Sequence, residues 1–294
     1  AAAEPDLLVL TSDSRGSGKL VPFAERFPDR IVETGIAEQN LVGMAAGLAS
    51  AGKKVFAVSP ACFLTTRSLE QIKNDVAYSD QPVKLIGISA GVSYGALGST
   101  HHSLHDFAVL RAIHNLIVCA PADNYETEQA IQLAVKTSKP VYMRLGKKPM
   151  PFVHDRDDPF TFGKGIVLRE GDDLAFIATG ECVVPAKEAS IELEKEGIRC
   201  QVISMHTIKP LDEALVLGVA DKVGGIITIE EHSLNGGLGE AVATCLMENG
   251  VFKPFRRMGI PDEYTITGSQ GEIFKHYGIT PSGIAEKAKV MLNE

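Results

Sequence analysis

The 294-residue chain has no tryptophan, no CxxC pair and no apolar run near the ~20 residues that a bilayer-spanning helix needs. It does not open with a basic stretch followed by a short apolar core, the mark of an export signal. These absences argue against a helical membrane span, a thiol-ligated zinc site and a disulfide scaffold. The five cysteines (Cys62, Cys119, Cys182, Cys200, Cys245) are scattered and odd in number, as expected of buried thiols in a reducing cytoplasm. Positive charge is also short: 29 Lys and Arg against 37 Asp and Glu leave a net charge of -8. A chain of that sign is not expected to bind nucleic acid or an anionic membrane surface. A small anionic substrate stays open, because a few local cations suffice to hold it. Internal repeats and low-complexity tracts are lacking as well.

What is present is 28 glycines and 45% hydrophobic residues, which suits two packed domains of α/β type. Over residues 1–146, apolar runs at Leu7–Leu10, Val55–Val58, Val83–Ile88, Leu116–Cys119 and Val141–Met143 are expected as strands. Helical patterns over Glu38–Ala51, Thr66–Ser79, Leu104–Ala112 and Tyr125–Thr137 separate them, which predicts βαβ units and a mostly parallel sheet. A charged, proline-rich stretch over 147–165 then marks a linker, with Lys147-Lys148-Pro149-Met150-Pro151 and Asp155-Arg156-Asp157-Asp158-Pro159. Further strands at Ala175–Ala178, Cys200–Ile203 and Ile226–Ile229, with helices at Val184–Lys195 and Gly239–Asn249, predict a second α/β unit. The expected division is a first domain over 1–150, a linker over 151–165 and a smaller, mostly parallel domain over 166–294.

Glu38 stands at the mouth of an Ala- and Gly-rich helix. By position alone it is a first-turn carboxylate that complements the helix dipole. Its surroundings add a second reading. Gly35-Ile36-Ala37-Glu38-Gln39 follows Arg15-Gly16-Ser17-Gly18-Lys19 and Phe27-Pro28-Asp29-Arg30, and precedes Arg67-Ser68-Leu69-Glu70-Gln71-Ile72. Gly98-Ser99-Thr100-His101 and Cys119-Ala120-Pro121-Ala122-Asp123 come next, then Glu230-Glu231-His232 and Gly236-Gly237-Leu238-Gly239-Glu240. In this order, over nearly the whole chain, the motifs resemble the pyrimidine-binding and C-terminal domains of transketolases and 1-deoxyxylulose-5-phosphate synthases.

The resemblance implies a transferase that moves a two-carbon ketol unit between sugar phosphates with thiamine diphosphate, a cofactor that acts as an electron sink. Glu38 would then bind the far ring nitrogen of the aminopyrimidine and favour its imino tautomer. Phe63, Leu64 and Arg67 would line the cofactor, and Asp13 would stand on the cofactor side, although Asp13 reads equally well as an Asx turn. His101 would contact a substrate hydroxyl. His102 and His105 carry no role, and no carboxylate or cysteine set completes a metal site with them; the plain alternative is a helical turn with polar residues in solvent. Arg144 follows a strand where open sheets bind ligands, and the resemblance makes it a bidentate phosphate ligand, helped by Ser17. Otherwise Arg144 is a surface arginine and the Ser17 loop a turn.

Several positions depart from the family pattern. Ala61 and Leu64 occupy places where phenylalanines stack on the aminopyrimidine, and Phe63 is adjacent but out of register. Leu97, in Gly95-Ala96-Leu97-Gly98, replaces an acidic residue that reads a sugar hydroxyl, and Ser89-Ala90 replace another polar pair. A helix expected before the first strand is missing or truncated at Ala1-Ala2-Ala3. A complete enzyme also needs Gly-Asp-Gly and, roughly 25–30 residues later, an asparagine to hold Mg2+ and the diphosphate through oxygen ligands. Gly171-Asp172-Asp173 lacks that asparagine and reads as a turn. The expected partner is therefore a diphosphate-binding transketolase N-terminal subunit that carries the Mg2+, in an α2β2 assembly with a self-dimer built largely by the second domain. Glu230 to Ser233 and the glycines after them read as capping and packing. Alternatives are the β-subunit of a 2-oxoacid dehydrogenase, a fragment of a deoxyxylulose-phosphate synthase, and a non-catalytic assembly subunit.

Overall fold

The computed structural model describes residues 1–154 and 158–293. Asp155, Arg156 and Asp157 of the expected linker lie outside the described residues. Strands in the first half are β1 (Leu7–Thr11), β2 (Ile31–Glu33), β3 (Lys54–Pro60), β4 (Lys84–Ile88), β5 (Ile117–Cys119) and β6 (Val141–Arg144). The second half supplies β7 (Ile166–Arg169), β8 (Leu174–Ala178), β9 (Cys200–Ser204), β10 (Thr207–Lys209), β11 (Gly225–Ser233) and β12 (Phe255–Ile260). One sheet runs β10-β5-β6-β4-β3-β1-β2 and the other β12-β11-β8-β9-β7. Only β10 in the first sheet and β7 in the second run antiparallel to their neighbours. The α/β fold in two units is as expected.

Chain connectivity crosses the boundary between the units. β10 belongs by sequence to the second domain yet pairs with β5 as the edge of the first sheet, Thr207 opposite Cys119. The Ala120 amide continues the join by donating to the His206 carbonyl at 2.7 Å, and the Ala120 carbonyl accepts from Gly180. Part of the linker is packed: Val153 enters the second core and its amide donates to Asp123, while Phe152 is exposed. His154 lies between Glu126 and Asp158. Among the described residues, no helix is long and apolar enough to cross a membrane.

The helix expected over Thr66–Ser79 is replaced by a helix at Ala61–Arg67, a short turn at Leu69–Gln71 and a π-helical turn at Ile72–Tyr78. The break has a local cause. Hydroxyls of Thr65, Thr66 and Ser68 all donate to carbonyls four residues back, competing with the backbone ladder just where the helix ends. The earlier start is what sets Phe63, Leu64 and Arg67 on one helical segment.

Strands β1, β3, β4 and β6 lie side by side in parallel, so their carboxyl ends form one edge of the first sheet. Glycines let the second domain press onto this edge. A Cβ at Gly91 would overlap the Glu231 carboxylate, and one at Gly146 would overlap that of Glu181. Gln270 donates to both carboxylates, at 2.9 Å to Glu231 and 2.5 Å to Glu181, and the Val92 amide donates to Glu231. Burial raises both carboxyls above the ordinary glutamate range, and Glu181 raises Glu231 further. An acid that holds its proton more tightly when folded stabilises the fold below the ordinary glutamate pKa and loses that contribution as pH rises toward the folded value. Replacing Glu231 with Gln should therefore flatten the fall in melting temperature between about pH 5 and about pH 9. An unchanged fall in a calorimetric pH series would show that the pair does not titrate in this window.

Candidate active site

After β2 the chain turns through Thr34 and Gly35, whose φ of +72 suits glycine, and Glu38 opens the helix Glu38–Ser50. The Glu38 side chain is only 4% exposed. Both of its oxygens accept from Nη1 of Arg67 at 3.1 Å. The Arg67 guanidinium lies 4.0 Å from the Phe63 ring centre, a cation–π contact. Phe63 meets His101 edge-on at 5.3 Å, and Tyr94 flanks the same imidazole at 5.5 Å. Lys147 Nζ lies 5.0 Å from the Tyr94 ring. Glu38, Arg67, Phe63, His101, Tyr94 and Lys147 thus form a continuous ribbon of contacts.

Cavities open at both ends of this ribbon. One of about 630 Å³ is lined by Glu38, Ile36, Ala37, Gln39, Asn40 and Arg67. The other, about 400 Å³, is lined by Ser17, Lys19, Asn124, Lys147, Lys148 and Glu181 among others. Ser17 is exposed in that second cavity, so the structure puts it beside three lysines. Asp13 is exposed at the tip of β1 with a φ of +51, and its amide donates to the Glu33 carboxylate. Leu97 is 55% exposed and Ser89, with a φ of +51, keeps a buried hydroxyl without a hydrogen bond.

Leu64 is fully buried within the core of the first domain, and the helix that begins at Ala61 turns Phe63 outward beside it. Arg144 is not a surface arginine, being only 6% exposed. Its Nη2 donates to the carbonyl oxygens of Ser103 and Glu231 at 3.0 and 2.6 Å. Its Nε lies 3.1 Å from Asp106, in ion-pair range without hydrogen-bond alignment. Burial lowers the Arg144 pKa, but Asp106 and Glu231 together hold it above the ordinary value. The Tyr142 hydroxyl donates to the same Asp106 oxygen at 2.7 Å. His102 is also buried, contrary to a solvent-facing turn.

The Glu230–His232 cluster is built for packing. Glu230 accepts from the amides of Leu238 and Gly239, capping the helix Leu238–Glu248. Burial pushes its carboxyl up to about 7 against the pull of those amides. His232 stacks on Phe107 at 5.0 Å and burial pulls it down to about 4, so the ring is neutral. Its Nδ1 lies 2.7 Å from the Ser233 carbonyl and its Nε2 accepts from the Ala108 amide.

The Glu38 end fits a flat heteroaromatic amine. A shielded carboxylate can bind a ring nitrogen, and the Phe63 face provides an aromatic surface beside it. Among the described residues, no group of three or more His, Cys, Asp or Glu side chains is placed to hold a metal ion.

Residues 1–151 match the family model for the transketolase pyrimidine binding domain, and residues 163–284 match that for the transketolase C-terminal domain. The chain belongs to the transketolase family. It is 47% identical over 289 residues to a subunit of the apulose-4-phosphate transketolase of Phocaeicola vulgatus, covering 98% of this chain and 92% of that protein. It is 39% identical to the 1-deoxy-D-xylulose-5-phosphate synthase of Gloeobacter violaceus, over 95% of this chain but 44% of that one. A solved structure described as a split gene transketolase, inactive beta4 tetramer, superimposes with a TM-score of 0.90 at 36% identity, covering 99% of this chain and 94% of that one. This transketolase-type chain therefore carries two of the family's domains.

Removing Arg144 would leave Asp106 charged and buried without its partner. Arg144→Ala should lower the unfolding free energy by about 3–5 kcal/mol, read from urea denaturation. An unchanged midpoint would show that the pair does not hold the fold.

Proposed function

We propose that this chain is the pyrimidine-side half of a two-subunit transketolase that transfers a two-carbon ketol unit between sugar phosphates. In this reading it acts in an α2β2 assembly with a diphosphate-binding N-terminal subunit that holds the Mg2+. The observation that carries it is the Glu38 carboxylate, shielded from water and set beside an open cavity and an aromatic ring. The relatives support it. The Phocaeicola protein is named for apulose-4-phosphate and as one subunit of its transketolase, and the tetramer of the split homologue is described as inactive.

Thiamine diphosphate, when bound, supplies the electron sink for cleaving a carbon–carbon bond next to a carbonyl. The tasks left to this chain are positional and protonic. Glu38 hydrogen-bonds the far ring nitrogen of the aminopyrimidine and favours its imino tautomer, and Phe63 gives the ring a face. Arg67 supplies the positive charge that keeps the Glu38 carboxylate in place, and Asp13 stands on the cofactor side. His101, flanked by Phe63 and Tyr94, hydrogen-bonds a substrate hydroxyl. Ser17 and the neighbouring Lys147 and Lys148 hold the substrate's anionic end in the second cavity. Leu97 offers no acceptor, so at that position the substrate is recognised without a carboxylate.

Glu38→Gln keeps the side chain's size and removes its proton exchange. Assayed with the diphosphate-binding partner, this variant should lose roughly 10²–10⁴-fold in ketol transfer while melting at the wild-type temperature. Full activity in the variant would overturn the assignment. The unpartnered chain should show no ketol transfer, and a measurable rate from it would remove the need for a second subunit.

A further inference from the structure

Among the described residues, the His101 ring hydrogen-bonds Thr100 and packs edge-on against Phe63 and Tyr94, all of its own domain. The loop on which it rides is held from elsewhere. Gly91, Gly95 and Gly98 all have positive φ. A Cβ at Gly95 would come within 2.6 Å of the Gly268 carbonyl, and one at Gly98 within 2.9 Å of the Thr267 methyl. The segment before the helix Gln270–His276 of the second domain thus lies against the loop.

Hydrogen bonds fix the register of that contact. Next to His101, the His102 ring is 3% exposed. Its Nε2 lies 3.0 Å from the Gly95 carbonyl oxygen and its Nδ1 lies 2.6 Å from Oγ1 of Thr265. A carbonyl only accepts, so Nε2 carries a proton. Burial lowers the pKa of the ring, which keeps it neutral and leaves Nδ1 as an acceptor. The Thr265 hydroxyl must then donate to His102, and its oxygen accepts from Ser99 at 3.0 Å. Donors therefore run one way, from Ser99 to Thr265 to His102 to Gly95. Two points of the loop, Ser99 and His102, are tied to one hydroxyl of the other domain, with His101 between them.

We propose that Thr265, acting through His102, is a positioning residue for the transferase reaction, holding the His101 loop from the second domain. The proposal rests on the reading of His101 as a substrate contact. It predicts an effect on the reacting end of the substrate and little on the anionic end, which Ser17 and the lysines hold.

The test uses the chain with its diphosphate-binding partner. Thr265→Val keeps the shape and removes the donor, and should cut kcat roughly tenfold to hundredfold while leaving KM for a phosphorylated substrate within about twofold. Thr265→Ser keeps the donor and should restore kcat to within about threefold of wild type. Nitrogen-15 spectra of histidine-labelled chain should show His102 protonated on Nε2 and should show its Nδ1 signal shift in Thr265→Val. An unchanged kcat, a serine variant as slow as the valine one, or an unmoved Nδ1 signal would each overturn the proposal. If Thr265→Val does not fold, Ser99→Ala should lower kcat by a smaller factor at constant KM, and an unchanged kcat there would overturn it. Inactivity of the wild-type complex would instead refute the transketolase reading, and the ring-nitrogen spectra would still decide whether the clamp exists.

Discussion

The buried pair of Arg144 and Asp106 is the contact on which the geometry of this molecule depends. It joins the end of β6 to the start of the helix Asp106–Arg111, and through Ser103 and Glu231 it reaches the His101 loop and β11. A buried guanidinium or carboxylate that loses its ion partner costs several kcal/mol, so the neighbours of this pair are not free to rearrange. Tyr142 beneath and Phe107 beside it complete the enclosure. The cost of burying this charge is repaid in position: two domains and the His101 loop share one anchor.

That anchor divides the labour of the site. Residues at its Glu38 end come from one domain and meet through an ion pair and stacked rings. At the other end Glu181 of the second domain enters the cavity lined by Ser17 and the lysines. Hence the second domain is more than a platform for assembly; it forms part of the wall around the proposed substrate.

Much of this was legible in the sequence, for definite physical reasons. Largely apolar runs such as Val55–Val58 and Val83–Ile88, the latter broken only by Lys84, announce strands buried on both faces, and those strands form the centre of the first sheet. Elements at the margins escape the same reading. β2 and β10 span three residues each, and β12 carries two adjacent arginines, so neither length nor hydrophobicity marks them. Among site residues, Glu38 and His101 stand in motifs tied to particular turns, and they come to one ribbon. The burial of Leu64 and Arg144 was not legible, because sequence order says nothing about which way a side chain points. A helix that begins a few residues early turns Leu64 into the core, and a strand end covered by another domain hides Arg144. Tyr94, Lys147 and Thr265 stand in no motif, and only the folded loops bring them to the site.

The exchange of β10 between the halves has a consequence for how the molecule can move. A hydrogen-bonded strand cannot hinge without tearing its ladder, so the two units lack the freedom of beads on a string and should melt together. Cutting the polypeptide at the linker would strip β5 of its neighbour and bare a raw sheet edge, an invitation to clump. Any opening needed to admit a cofactor or a sugar must therefore come from loops or from a neighbouring protomer.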